Sequence, residues 1–211
     1  MNIAKNMPPL LPMELCNNNM MDIVIPNNNE EEFIAIARKM GYKTLYFLYN
    51  YDDYRSKRKN FADIPSIKIV NGVLADSKNL KKIKNKMAEG GVFVAAKSSD
   101  ADRGIMEGSL ADLIFSFEEN QRRDFIHQRA SGLNHILCGL ARKNDITIGF
   151  SFTSILNAKD RHEILGRIIQ NLKMCKRFKA KTIIASFAKN PYEMRSMHDL
   201  MSLFKILYDK S

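Results

Sequence analysis

Two periods alternate along this chain. Short, nearly continuous apolar runs rich in Val, Ile, Leu, Phe and Tyr suit strands covered on both faces. Between them apolar residues recur three and four positions apart, as on one side of a helix. The strand candidates are Asp22–Pro26, Lys43–Tyr49, Pro65–Leu74, Gly91–Ala95, Ala111–Phe115, Ile146–Phe150 and Thr182–Ala185. The first helix opens on Asn29 with Glu32 three residues on, the spacing of a capping box. It carries Phe33, Ile34, Ala37 and Met40 and closes at Gly41. A short basic helix with Arg55, Lys57, Arg58 and Lys59 follows the second strand. Leu80, Ile83 and Met87 then form a narrow stripe on a helix whose other faces hold Lys78, Lys81, Lys82, Lys84 and Lys86. Asp160 and Glu163 repeat the capping-box spacing ahead of a helix burying Ile164, Leu165, Ile168, Leu172 and Cys175. Asn190-Pro191-Tyr-Glu193 starts the last helix, whose inner face is Met194, Met197, Leu200, Met201, Phe204 and Leu207.

Strands that alternate with helices assemble a parallel sheet. About seven such units in one domain favour a compact TIM-like parallel α/β barrel over an open doubly wound sheet. The barrel domain spans residues 21–211. Residues 1–20 are rich in Met, Asn and Pro, lack periodicity, and are expected to be a disordered or loosely attached tail.

The most informative stretch is 127–150. Leu133, Ile136, Leu137, Leu140 and Ala141 have the spacing of one buried helical stripe, with His135 and Arg142 almost opposite and Asn134 and Cys138 on a flank. Asn144 stops that helix. Ser131-Gly132 stands at its start, where backbone N–H groups add anion-binding donors.

Composition sharpens this picture. The 211 residues are 45% apolar, enough for a full core, and 33 Lys+Arg against 23 Asp+Glu leave a net charge of +10. Such a surplus favours polyanions, nucleic acid above all, although a Lys- and Asn-rich proteome produces the same balance. No apolar run nears the roughly 18 residues of a membrane span, and the N-terminus has no continuous apolar segment. Cys16, Cys138 and Cys175 are scattered without metal-ligand spacing, which suits core or flank positions in a reducing, cytoplasmic setting without membrane contact.

Chemistry in a parallel barrel sits at the C-terminal ends of the strands. The first strand, Asp22-Ile-Val-Ile-Pro26, ends without histidine. The four histidines, His127, His135, His162 and His198, show no metal-ligand spacing, and neither a nucleophile elbow nor a glycine-rich phosphate loop occurs. Asp100, Asp102, Glu107 and Asp112 lie near one strand end, as an acid/base set or as loop carboxylates beside a helix cap. For a polyanion the best contacts are Arg103, Arg122, Arg123, His127, Arg129, His135, Lys189 and Arg195, in loops and at helix starts. Arg129 can instead pair with Asp124, and His135 can cap or bridge within the fold. The lysine-faced helix can be a solvated face. No aromatic pair is placed to stack single-stranded bases, so shape and phosphate recognition of a folded RNA is the expectation.

Arg129-Ala-Ser-Gly-Leu-Asn-His135, followed by Leu140-Ala-Arg-Lys-Asn144 and Ile148-Gly-Phe150, resembles the signature of the ribonuclease P protein component 3 family. This is the archaeal counterpart of the thirty-kilodalton eukaryotic subunit. Asp124-Phe-Ile-His127, Ile184-Ala-Ser186 and Arg195 extend the resemblance, which covers roughly residues 21–208 and is loose in the first half. It implies a TIM-like barrel similar to the PHP metal-dependent phosphoesterases, but without the His-x-His pair that ends their first strand. It also implies a non-catalytic subunit that binds ribonuclease P RNA and assists removal of the 5′ leader from precursor tRNA. Magnesium then belongs to the RNA and no cofactor to this chain. The protein partner is a small ferredoxin-like subunit of the Pop-five type, and precursor tRNA is met indirectly. The alternative is a PHP-like phosphoesterase using the Asp100–Asp112 carboxylates.

Overall fold

The alternation builds a seven-stranded parallel sheet in chain order: β1 (Met21–Val24), β2 (Thr44–Tyr49), β3 (Lys68–Ala75), β4 (Phe93–Lys97), β5 (Leu113–Phe115), β6 (Thr147–Ser151) and β7 (Thr182–Ala185). The computed structural model describes residues 20–57, 66–76, 79–81, 83, 91–119, 124 and 129–211. Around the strands lie α1 (Glu30–Lys39), α2 (Tyr51–Lys57), α3 (Asp102–Glu107), α4 (His135–Lys143), α5 (Phe152–Leu156), α6 (Arg161–Phe178) and α7 (Met197–Asp209). Most of the lysine-faced helix and residues 1–19 lie outside the described residues, but Leu80 and Ile83 are buried and Lys81 is exposed. Met20, assigned to the tail, already belongs to the barrel: its carbonyl accepts from the N–H groups of Lys43 (2.8 Å) and Thr44 (3.1 Å). No helix among the described residues is long and apolar enough to cross a membrane.

The ring closes where β7 meets β1. The N–H of Phe187 donates to the carbonyl of Ile23 and that of Ile25 to Ala188, each at 2.8 Å. The Asp22 carboxylate completes the seam, with Oδ1 accepting from the N–H of Ser186 at 2.7 Å. Asp22 is fully buried, its Oδ2 meets no donor among the described residues, and burial pushes its carboxyl up to about 6.

Two cores explain why the strands read as continuous apolar runs. Ile23, Tyr46, Leu48, Phe93, Leu113 and Phe115 fill the interior of the ring, while Val24, Leu45, Phe47, Val94, Ile114 and Ile148 face the helices. The interior is tight. A Cβ at Gly149 would stand 2.8 Å from that of Phe115, whose ring stacks on Phe187 at 4.1 Å. Cys138 and Cys175 meet between α4 and α6 as free, buried thiols.

Several local expectations give way to tertiary contacts. Asn29 does not cap α1; its amide donates to the carbonyl of Lys189 (3.0 Å) and so ties the β1 loop to the β7 loop. Asp160 makes no side-chain cap either. The Asn190/Glu193 box does form, but it closes only a 3-10 turn over Pro191–Glu193. The chain then extends, and α7 begins afresh at Met197 with Ser196 as its cap. Likewise α4 starts at His135 behind the cap residue Asn134, whose Oδ1 accepts from the N–H of Leu137 at 2.9 Å. Ser131 and Gly132 therefore supply no helix-terminus donors. From this start Leu137, Cys138 and Ala141 turn inward, and Ile136 is left 44% exposed.

Candidate nucleic-acid interface

The residues of the signature are organised by Arg167, a buried guanidinium on α6. Its Nε donates to Asp124 Oδ1 (2.9 Å) and its Nη1 to the carbonyl of Glu118 (3.2 Å). Asp124 also accepts from the N–H of Ala130 (2.8 Å) and from Arg129 Nη1 (3.2 Å). Burial alone would raise the Asp124 carboxyl; the Ala130 N–H and the Arg167 and Arg129 charges outweigh it and hold the group below the usual carboxylate range.

Helix α6 clamps the signature at three further points. The Gln170 amide donates to the carbonyl of Arg129 (3.2 Å) and to Ser131 Oγ (3.0 Å), and Asn171 Nδ2 donates to the carbonyl of Ser131 (2.7 Å). The Arg129 guanidinium lies over Gly166, where a Cβ would stand 2.4 Å from its central carbon. Gly132 has φ +86°, and a Cβ there would meet the carbonyl oxygen of Phe117 at 2.5 Å, so only glycine fits. The specific part of the sequence is thus first a folding device, which docks the chain before α4 against α6.

The C-terminal ends of the strands surround a cavity of about 590 Å³. Its polar lining is mixed in sign, with Lys97, Lys159 and Lys189 facing Glu119, Glu163 and Glu193. Lys97 pairs with Glu119, and Ser154 Oγ donates to Glu119 Oε1 at 2.5 Å. Burial opposes ionisation of Glu119, but these two partners prevail and its carboxyl sits below the usual range. Glu118 beside it is fully buried, accepts from the N–H of Ser151 (3.4 Å), and is pushed by burial up to about 7. No three His, Cys, Asp or Glu side chains among the described residues converge where a metal ion could sit.

The loop carboxylates considered for acid/base work are separately engaged. Asp102 accepts from Ser98 Oγ (2.6 Å) and the N–H of Ser99 (2.8 Å). Glu107 pairs with Arg103 at 2.8 Å, and Asp112 accepts from the N–H of Val94 at 2.8 Å. They bind their own loops and strands.

Among the described residues, those expected to touch RNA do not gather into one site. Arg122, Arg123 and His127 lie outside the described residues. Arg103 is on α3 with Glu107, and Arg195 donates to the carbonyls of Tyr192 (3.0 Å) and Met194 (2.7 Å) beneath the Phe152 ring. Arg129 is half exposed but paired. Lys189 on the β7 loop is exposed, and so is His135 at the start of α4, beside the Phe178 ring. Sequence reasoning missed Arg167, Gln170 and Asn171. For Arg167 and Asn171 the signal was a polar residue beside the apolar stripe of Ile164, Ile168, Leu172 and Cys175, too close to it to face solvent; Gln170 falls on the far side and carried none.

Residues 19–209 match the family described as RNase P subunit p30, which takes in every strand and the whole clamp. The chain belongs to the RNase P subunit p30 family. A curated relative from Methanocaldococcus jannaschii, ribonuclease P protein component 3, is 27% identical over 90% of this chain and 83% of its own length. The protein of the same description from Methanosarcina mazei is 22% identical over 85% of this chain and 74% of its own. Among solved structures, a chain of archaeal ribonuclease P with mature tRNA superposes with TM-score 0.73 at 24% identity, covering 88% of this chain and 82% of that one. A histidinol phosphate phosphatase from Lactococcus lactis, complexed with zinc, L-histidinol and phosphate, gives TM-score 0.66 at 10% identity over 90% of this chain and 94% of its own. The p30 fold is thus a TIM-like barrel that it shares with a phosphatase seen in complex with zinc. The expectation from the signature and that from strand counting agree.

Proposed function

We propose that this p30-family subunit serves ribonuclease P as a non-catalytic RNA-binding scaffold. It holds the catalytic RNA in its working shape while the RNA and its own magnesium remove the 5′ leader from precursor tRNA. The observation that carries the reading is the family match over 19–209, joined to a barrel mouth in which Lys97 and Ser154 engage Glu119. Its relatives are named ribonuclease P protein component 3, and a chain of the same fold sits in an archaeal ribonuclease P with mature tRNA. In this role the net charge of +10 offsets phosphate repulsion where RNA strands converge. A small ferredoxin-like subunit of the Pop-five type is the protein partner. Lys189 and His135 are outward-facing members of the RNA-contact set, joined by Arg122, Arg123 and His127.

Reconstitution tests this. Ribonuclease P RNA with the small subunit should cleave precursor tRNA faster at limiting magnesium when this chain is added. The chain without RNA should cleave neither precursor tRNA nor a generic phosphomonoester. Metal-dependent hydrolysis by the chain alone would favour the phosphoesterase reading and defeat this one.

A further inference from the structure

In a parallel β/α barrel one end gathers the strand C-termini and helix N-termini, and the other the strand N-termini and helix C-termini. The second end, the base, carries many of the exposed cations among the described residues. Lys39 ends α1, Arg142 and Lys143 end α4, and Lys176 and Arg177 lie in the last turn of α6. Cations there stabilise the helix dipole, which would account for these residues without any partner.

That explanation does not reach the others. Lys43 precedes β2, Lys68 is the first residue of β3, and both are exposed. Lys179 follows α6 with φ 54°, a left-handed position usually given to glycine, and is exposed as well. Because the strands are neighbours in chain order and β7 closes on β1, these positions form one arc from β6 through the seam to β3. Against them the arc sets Asp145, which Lys181 holds, and Asp209. The mouth is the opposite. Its helix starts carry Glu31, Glu32, Asp52, Asp53, Glu163 and Asp199, and Lys97, Arg103 and Arg129 there are held in ion pairs.

We propose that the base arc, centred on Lys43, Lys68, Lys143 and Lys179, is the face that receives the phosphate backbone of folded RNA. This rests on the RNA-scaffold reading above and moves the main contact away from the barrel mouth. The arc offers point charges on long stems. It therefore suits a duplex backbone read by shape and charge, and not splayed bases.

The test titrates full-length protein with a ribonuclease P RNA transcript and, separately, with a 20-base-pair RNA duplex, at several salt concentrations. Two base variants, Lys43→Gln/Lys68→Gln and Lys143→Gln/Lys179→Gln, are compared with the mouth variant Lys159→Gln/Arg161→Gln. Each base pair of substitutions should weaken binding about tenfold at low salt and reduce the slope of log affinity against log salt by about two. The mouth variant should change affinity less than about twofold, with melting midpoints shared by all. Equal or greater loss in the mouth variant would overturn the assignment, as would base variants that bind normally. So would base variants that lose the small protein subunit while RNA binding stays intact. Failure of the wild type to bind either RNA would instead remove the scaffold reading beneath it.

Discussion

The two ends of this barrel are made from the same repeating unit, yet they spend their charges differently. At the mouth, Lys97 answers Glu119, Arg103 answers Glu107, and Arg167 and Arg129 share Asp124, so charge is consumed in fixing loops. At the base, Lys43, Lys68, Lys143 and Lys179 stay exposed at or just beyond the ends of helices and strands. The difference teaches that specificity of sequence and availability for binding need not coincide. The signature is the most distinctive part of the chain and also the part most thoroughly used up in holding the fold together.

If the mouth end serves the fold, substitutions there should move stability and leave intrinsic RNA affinity alone. The largest effect belongs to Asp124→Asn, which strips the buried Arg167 of its nearer counter-charge and leaves it Glu163 at 3.9 Å; chemical denaturation should show a loss of about 3–4 kcal/mol. A loss below about 1 kcal/mol would mean Arg167 finds another partner and the clamp is weaker than its geometry. Next comes pH. The folded-state carboxyls of Asp22 and Glu118 titrate at about 6 and about 7, above their ordinary 3.8 and 4.5. The native chain therefore binds protons that the unfolded chain releases. Their contribution to stability is fullest below about pH 4 and falls by about 3 kcal/mol apiece as pH rises to about 7. Asp22→Asn should flatten that slope measurably between pH 4 and 6, and an unaltered slope would show the seam carboxyl ionises freely. Asp124 and Glu119 act in the other direction, their support lost only as pH drops below the usual carboxylate range.

Gly149→Ala should cost about 2 kcal/mol, since its new methyl must displace Phe115 inside the ring. The smallest effect is expected for Arg103→Ala, which breaks an exposed pair within one helix: melting midpoint and RNA affinity should both stay at the wild-type value. A clear loss of RNA binding there would blur the contrast between the ends and restore the mouth as a contact surface.

Strand identities were legible because a strand covered on both faces leaves a run of apolar residues that little else produces, as in Thr44–Tyr49. Helix starts were less so. Asn29 and Asp160 have the right side chains and spacing, but Asn29 is drawn to Lys189, a partner 160 residues away that no local pattern reveals. The binding candidates suffered similarly. Arg103, Arg129 and Arg195 look available in sequence, and each turns to an acceptor inside the chain. The basic arc was hidden for the converse reason: Lys43, Lys68, Lys143 and Lys179 lie in four separate stretches of the chain, and only the closed sheet brings those stretches to one end. Charge balance announced a polyanion, and topology supplies its address.

The seam deserves a final thought about how such a ring comes into being. Strand β1 finds its second neighbour only at Ser186, 164 residues downstream, so a nascent polypeptide carries an open edge until synthesis is almost done. Joining Ser211 to Met20 and opening the gene between β3 and β4 would make the seam a local encounter and the β3–β4 pairing the distant one. Since β3 and β4 pair over four residues and β1 meets the β7 end through a single bridge, such a permuted version should reach its native state later than the natural order.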